Sequence, residues 1–314
     1  MEPVRHYDYQ EINSDLTTSL KPSKPLKIKK RKKWIPGVLL LTPILLFIFG
    51  FFIVPMLYIL YLSFIATDDI GGSAVYSLEN YVKFFTDSYY MSSLWLTVKI
   101  SLYTVLVSLI LGYPVALTMA KSSPRTRGFI ALLIASPLLV SIVVRNFGWY
   151  LVLLPNGTIN ETLISLGIID APLKLLFSEV GVIIGLSNAY LPFMILAIAT
   201  SLYNIDPSLE KASAILGAGP IRSFFSITLP LSLPGIVSGC VLVFSLSMSA
   251  YVTPALMGGA NVPVMPVVAY DQINNLLQWT FGSAISYVLL ATTLILVTIF
   301  TRAFEIGKFK EVFR

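Results

Sequence analysis

Side chains able to do bond chemistry are scarce in this chain. It has one histidine, His6, and one cysteine, Cys240, among 314 residues. A Ser-His-Asp or Cys-His arrangement would have to recruit His6 from a polar N-terminal stretch. A metal site needs several His, Cys or carboxylate ligands brought together, and a lone His and a lone Cys do not supply them. One cysteine forms no disulfide within the chain. No G-x-x-x-x-G-K-S/T run is present, so the chain has no P-loop of its own for ATP. Gly217 and Gly219 are a fragment of a Gly-rich pattern that follows no strand, and carry no nucleotide meaning.

What remains is recognition and positioning by charge, ring and hydroxyl. Lys99 and Arg145 both lie in apolar runs, Arg145 with Asn146 beside it. An ionised group within a bilayer is expensive and is more often functional than accidental. Lys99 has a stem long enough to reach an interface. Arg145 could bind a buried backbone carbonyl, pair with an acid or face a solute. No Asp or Glu lies well inside any apolar run.

The elements that would position these groups follow from composition. Hydrophobic residues make up 56% of the chain and charged residues 12%, with a mean hydropathy of +0.80. A soluble chain usually carries about 25% charge. This balance argues against a soluble enzyme and rules out a disordered chain. It points to a membrane protein whose apolar surface faces lipid. A helix needs about 20 apolar residues to cross the bilayer core. Six runs qualify, at about 36–64, 93–120, 128–154, 179–203, 230–256 and 281–303. The first is too long for a cleaved signal peptide and has no evident small-residue cleavage site after it.

Charge placement sets the topology. The net charge is +6 and the pI near 9.2. Residues 1–34 hold nine of the 22 basic residues, and seven of these lie between Lys24 and Lys33, directly before the first apolar run. That is a signal for a cytoplasmic N-terminus and not a nucleic-acid patch. Loop 65–92 then lies outside with Asp68, Asp69, Glu79 and Asp87 against one lysine, Lys83. Loop 121–127 lies inside with Lys121, Arg125 and Arg127 and no acid. Loop 155–178 and loop 257–280 fall outside; Lys211 and Arg222, and Arg302, Lys308, Lys310 and Arg314 of the tail, fall inside. Prolines 114, 137, 192 and 234 should kink their helices. Gly235, Ser238 and Gly239 make a small-residue face suited to close helix contact.

The connection between the fourth and fifth runs is too patterned for a plain turn. Ile205-Asp206-Pro207-Ser208-Leu209-Glu210 has the Pro and acids of a helix start. Residues 210–218 could add about two helical turns, ended by Gly217 or Gly219. Phe224-Phe225-Ser226-Ile227-Thr228-Leu229-Pro230 then leads into the next run. Such a short helix is either a knob for another protein's groove or an ordinary amphipathic connector.

Here the sequence resembles the inner-membrane permease subunits of binding-protein-dependent ABC importers. Gly217, Ala218, Phe225, Ile227, Leu229 and Pro230 match the family's loop signature. The signature's E-A-A falls on Lys211-Ala212-Ser213, where only Ala212 is kept, and Glu210, one position earlier, would supply the acid. The resemblance covers about residues 93–303. Gly112-Tyr113-Pro114-Val115-Ala116, Arg145 with Trp149, Gly157-Thr158-Ile159-Asn160, Gly167, Pro172-Leu173, Leu191-Pro192-Phe193-Met194, Leu233-Pro234-Gly235-Ile236 and the run from Tyr251 to Gly259 look like the spermidine/putrescine branch.

The resemblance implies an all-α membrane protein of six transmembrane helices with a cytoplasmic coupling helix between spans four and five. It divides the chain into a basic cytoplasmic tail (1–35), a first transmembrane helix (36–64), a five-helix permease core (93–303) and a cytoplasmic tail (304–314). The chain would be half of a translocation pathway in a bacterial inner membrane and not an enzyme. The implied partners are two ATPase subunits, which bind ATP and Mg, a second permease of different sequence and a periplasmic substrate-binding protein. Coupling to the ATPase would rest on Glu210, Lys211, Ala212, Ser213, Gly217 and Ala218. The pathway candidates are Trp149, Tyr150, Tyr190, Tyr251 and Asp271, because a polycation is met by acids and aromatic faces, and Arg145 with Asn146, because an ionised group deep in a span is more often functional than accidental. Asp68, Asp69 and Glu79 could attract cations at the outer mouth. A polyamine is the first substrate expected, with an amino-acid derivative, an opine-like solute or a phosphonate as alternatives. An ion-driven secondary transporter would show inverted repeats and buried acids, and neither is visible.

Overall fold

The structure is a computed structural model that describes residues 34–66 and 75–305. The basic tail up to Lys33, Asp68 and Asp69, and the tail beyond Glu305 lie outside the described residues. Contacts divide the chain into two units, Met1–Pro55 and Met56–Arg314.

The first unit carries helix α1 (Trp34–Ile48) followed by a π turn, Phe49–Ile53. Its side chains from Leu41 onward are almost all apolar and exposed, which suits a lipid-facing helix. Residues Leu41–Ser63 are long and apolar enough to cross a membrane, with a mean hydropathy of 2.5.

Helix α2 (Val54–Ser63) carries the chain from the first unit into the second, where the short α3 (Glu79–Thr86) follows. Between these two, Ile65 and Tyr76 form an isolated bridge, and the Asn80 side chain donates to the Ile65 carbonyl at 2.8 Å. Next come α4 (Ser88–Lys121), α5 (Pro124–Ala135), α6 (Ile142–Leu153) and α7 (Thr158–Ser165). Then follow α8 (Glu179–Tyr203), α9 (Pro207–Ile215) and α10 (Pro220–Ser223). A π turn, Phe224–Thr228, joins α10 to α11 (Leu229–Met248). The chain ends through α12 (Val252–Met257), α13 (Met265–Tyr270) and α14 (Trp279–Glu305).

The core is a three-helix contact of α4, α8 and α11. Met119, Met194, Ile198 and Val243 are buried there. Small residues allow the approach. A Cβ on Gly235 would stand 2.5 Å from the Ser201 Cβ and 2.7 Å from the Ala197 carbonyl oxygen. In lipid, where the hydrophobic effect does not drive helices together, such close van der Waals contact does. Gly239 joins Gly235 on this face, whereas Ser238 is exposed and its hydroxyl bonds the Gly235 carbonyl at 3.1 Å. The expected three-residue face is therefore a two-glycine face.

Two of the expected spans are corrected. The run 128–154 is not one straight helix: Pro124–Leu139 and Ile142–Ser165 meet at a 91° bend. Pro137 cannot continue the hydrogen-bond ladder, a 3-10 turn covers Ser136–Leu139, and Val140 is extended. The freed groups are satisfied locally. Ser136 donates to the Leu133 carbonyl at 2.9 Å, and Arg145 to the Pro137 carbonyl at 3.1 Å. Among the described residues, counting this bent pair as one crossing gives six candidate spans, and without it five. The run 230–256 also mixes two things. The helix begins upstream, with Pro220–Met248 forming one candidate span of 29 residues. Beyond it, α12 and α13 are short helices whose Thr253, Met257, Met265 and Val268 are buried in protein. Hydropathy alone cannot separate burial in protein from burial in lipid.

Candidate coupling loop and solute pathway

The α8–α11 loop is built as its sequence predicts. Asp206 caps α9 by accepting the Ser208 backbone N–H at 2.8 Å, and Pro207 fills the first helical position. That bond, with Lys211 nearby, holds the Asp206 carboxyl below its usual pKa. The far end closes on Gly217, which has φ +83°. The Ala218 N–H bonds the Ser213 carbonyl and the Gly217 N–H the Ala214 carbonyl, each at 3.0 Å. This pair of bonds is the Schellman closure, which favours glycine at the left-handed position.

The loop presents an apolar tip. Ile215 is 86% exposed, Leu216 87% and Ile221 73%. Lys211, Ala212 and Gly217 are also exposed, whereas Ser213 and Ala218 are half-buried. None of the residues of α9 is buried. Glu210 does not join the exposed tip. Its Oε1 accepts the Thr228 hydroxyl at 2.9 Å and its Oε2 lies 3.5 Å from Lys121 Nζ. Sequence reasoning missed Ile215, Leu216, Thr228 and Lys121 as members of this site. The two apolar residues beside the terminating Gly217 were the legible signal.

The seven pathway candidates do not converge on one point. Arg145, Asn146, Trp149 and Tyr150 share α6. Trp149, Tyr150 and Tyr190 are half-buried against one apolar cluster, and Tyr150 meets Phe177 edge-on at 5.9 Å. Asn146 is 1% exposed and donates to the Thr253 hydroxyl at 3.0 Å, so it ties α6 to α12. Arg145 holds the Pro137 carbonyl of the bend, while its Nε is buried without a hydrogen-bond partner. A second group forms around α13. Tyr251 and Tyr270 lie with ring centroids 4.5 Å apart. Asp271 follows Tyr270 and accepts from Asn275 at 2.8 Å. Lys99 is paired: its Nζ lies 2.6 Å from Glu179 Oε2, at the N-terminal turn of α8, with both side chains partly exposed. Neither Tyr270 nor Glu179 was singled out from sequence, because each partner lies far along the chain or on another element.

The chain is similar to known proteins over most of its length. No family model matches the chain. The spermidine/putrescine transport system permease protein PotB of Haemophilus influenzae is 34% identical over 257 residues, covering 81% of this chain and 88% of that one. PotB of Escherichia coli is 34% identical over 254 residues, covering 81% and 92%. Among solved structures, a bacterial alginate ABC transporter in complex with an alginate pentasaccharide-bound periplasmic protein contains a chain with the same fold. It superposes with a TM-score of 0.70 at 17% identity, covering 86% of this chain and 94% of that one.

Proposed function

This chain belongs to the family of ABC-importer permease subunits that includes PotB, and on that premise we propose that it forms one half of a polyamine pathway across a bacterial inner membrane. Spermidine and putrescine are the proposed solutes. The observation that carries this is the 34% identity to PotB across 81% of the chain. The chain breaks no bonds. A second, non-identical permease completes the pathway, a periplasmic binding protein delivers solute, and two ATPase subunits that hold ATP and Mg supply the work. Both termini lie in the cytoplasm, in keeping with the basic residues before the first span and at the end of the last.

In this reading α9 is the coupling helix. Its exposed Ile215 and Leu216, with Ile221, are the apolar tip that enters a cleft of the ATPase, and Lys211, Ala212, Gly217 and Ala218 set its shape and orientation. Closure of the ATPase pair on ATP pushes α9 and opens the pathway outward. Hydrolysis returns it inward. Only a solute-state difference in binding lets such a cycle do work, so the pathway needs groups that favour a cation in one state. The Tyr251–Tyr270 pair beside Asp271 offers ring faces and an acid to an alkylammonium chain. Arg145, Asn146, Trp149 and Tyr150 belong to the wall that the bent span forms, and Tyr190 of α8 packs against the same apolar cluster as Trp149 and Tyr150.

The test is ATPase activity of the co-purified complex in lipid with its binding protein, across a panel of solutes. Stimulation by spermidine or putrescine alone is expected. Stimulation only by an amino-acid derivative, an opine-like solute or a phosphonate would keep the importer and discard the polyamine. Absence of any co-purifying ATPase, with the loop intact, would discard the importer in favour of an ion-driven transporter.

A further inference from the structure

Glu210 is the residue nearest to the family's acidic signature position, yet its carboxylate is turned into its own chain. It touches two different spanning helices' ends. Thr228, 4% exposed, donates to Oε1 at 2.9 Å from the π turn that runs into α11. Lys121, the last residue of α4, stands 3.5 Å from Oε2. Two hollows of about 260 and 310 Å³ flank the junction, and Lys121, Glu210 and Thr228 line both. The junction is therefore a narrow polar wall with space on either side.

The rest of α9 gives little alternative attachment. No residue of the helix is buried, so it has no apolar anchor. Its other side-chain tie is Ser213, whose hydroxyl lies 2.8 Å from the Ser223 hydroxyl of α10. Force applied to the exposed tip at Ile215 and Leu216 must reach the membrane through the flanking backbone and through these polar links. The two arms at Glu210 differ in strength. A hydroxyl donating to a carboxylate is charge-assisted and half-shielded here. An exposed lysine–carboxylate pair at this distance is weak and screened by salt.

We propose that Glu210 is a positioning residue, an internal strut that links α9 to the end of α4 and the start of α11 so that movement of α9 moves both helices together. It is not itself a contact to the ATPase. The inference rests on the coupling reading of α9. Thr228 is the main arm of the strut and Lys121 the minor one.

The test uses the whole importer in lipid nanodiscs or proteoliposomes, with its binding protein and spermidine. The readouts are ATPase retained per permease and spermidine taken up per ATP hydrolysed. Glu210→Ala is expected to retain ATPase at the wild-type ratio and to lower uptake per ATP about tenfold. Thr228→Val should do nearly the same, Thr228→Ser should restore uptake per ATP, and Lys121→Ala should lower it less than threefold. Rescue by Thr228→Ser separates a hydrogen-bonded strut from a general loss of packing. Loss of ATPase from Glu210→Ala would make Glu210 a docking contact and overturn the strut. So would uptake per ATP within twofold of wild type in both Glu210→Ala and Thr228→Val. A wild-type chain that retains no ATPase would instead overturn the coupling reading, and the strut with it.

Discussion

Where α4, α8 and α11 meet, Gly235 and Gly239 let backbones approach and the contact is dense with Met194, Ile198 and Val243. At α9 nothing is buried, and shape comes from a cap at Asp206, a left-handed Gly217 and a few polar links. The core resists change by packing, and the loop by backbone geometry. On the proposed coupling role, a transport subunit needs both: spans that keep a seal and a lever whose tip remains available. The same chain reaches them by placing small residues where helices touch and apolar residues where helices stop.

The contrast can be broken from either side. The largest effect should come from Gly235→Val. Its side chain would meet Ser201 and the Ala197 carbonyl, and overpacking of this kind costs about 3 kcal/mol. Thermal unfolding in detergent should show it, and an unchanged midpoint would mean that the helices are not in contact as described. Gly217→Asp comes next. A non-glycine residue at φ +83° costs about 1–2 kcal/mol locally. Uptake should be abolished with little change in the unfolding midpoint of the spans. Retained ATP-dependent uptake would count heavily against the loop's coupling role.

Smaller effects sharpen the comparison. Lys99→Ala removes a partly exposed ion pair with Glu179, which solvent screening keeps weak. Its loss should fade in high salt, and a salt-independent loss would show the pair to be better shielded than its exposure indicates. The smallest is Asp206→Ala, which removes the α9 cap. Because hydrogen bonding depresses the Asp206 pKa, its contribution is present above the ordinary carboxylate range and is lost as pH falls through the lowered value. Hydrogen exchange of the Pro207–Ile215 amides should quicken in the variant. In the wild type the same quickening should appear only on acidification.

These regions also differ in how legible they were. The α9 cap and its glycine stop lie within a dozen residues of each other, and local rules of helix ends predict both. Most spans were legible for a similar reason, since a run of apolar residues flanked by charge is a local property. The 91° bend was not. Pro137 announced a kink, but neither its size nor the Arg145 side chain that reaches back to the Pro137 carbonyl was local information. The segment after Met248 was misread because apolar short helices buried in protein have the hydropathy of a span. Asn146 appeared as a pathway residue, and its partner Thr253 lies over a hundred residues away on α12. Glu210 was picked out by resemblance, but nothing local could say that its carboxylate turns towards Thr228.

Pro114, Pro192 and Pro234 each sit inside one of the three core helices, whereas α14 contains no proline. A proline nitrogen carries no hydrogen. The ladder bonds that would end on the carbonyls of Ile110, Asn188 and Pro230 therefore do not exist in any conformation of this chain. Flexing a helix at an ordinary residue in lipid tears a bond that no water replaces. At these three rungs there is no bond to tear. The tightly packed trio can thus change curvature at fixed heights, whereas no proline removes a rung from the ladder of α14.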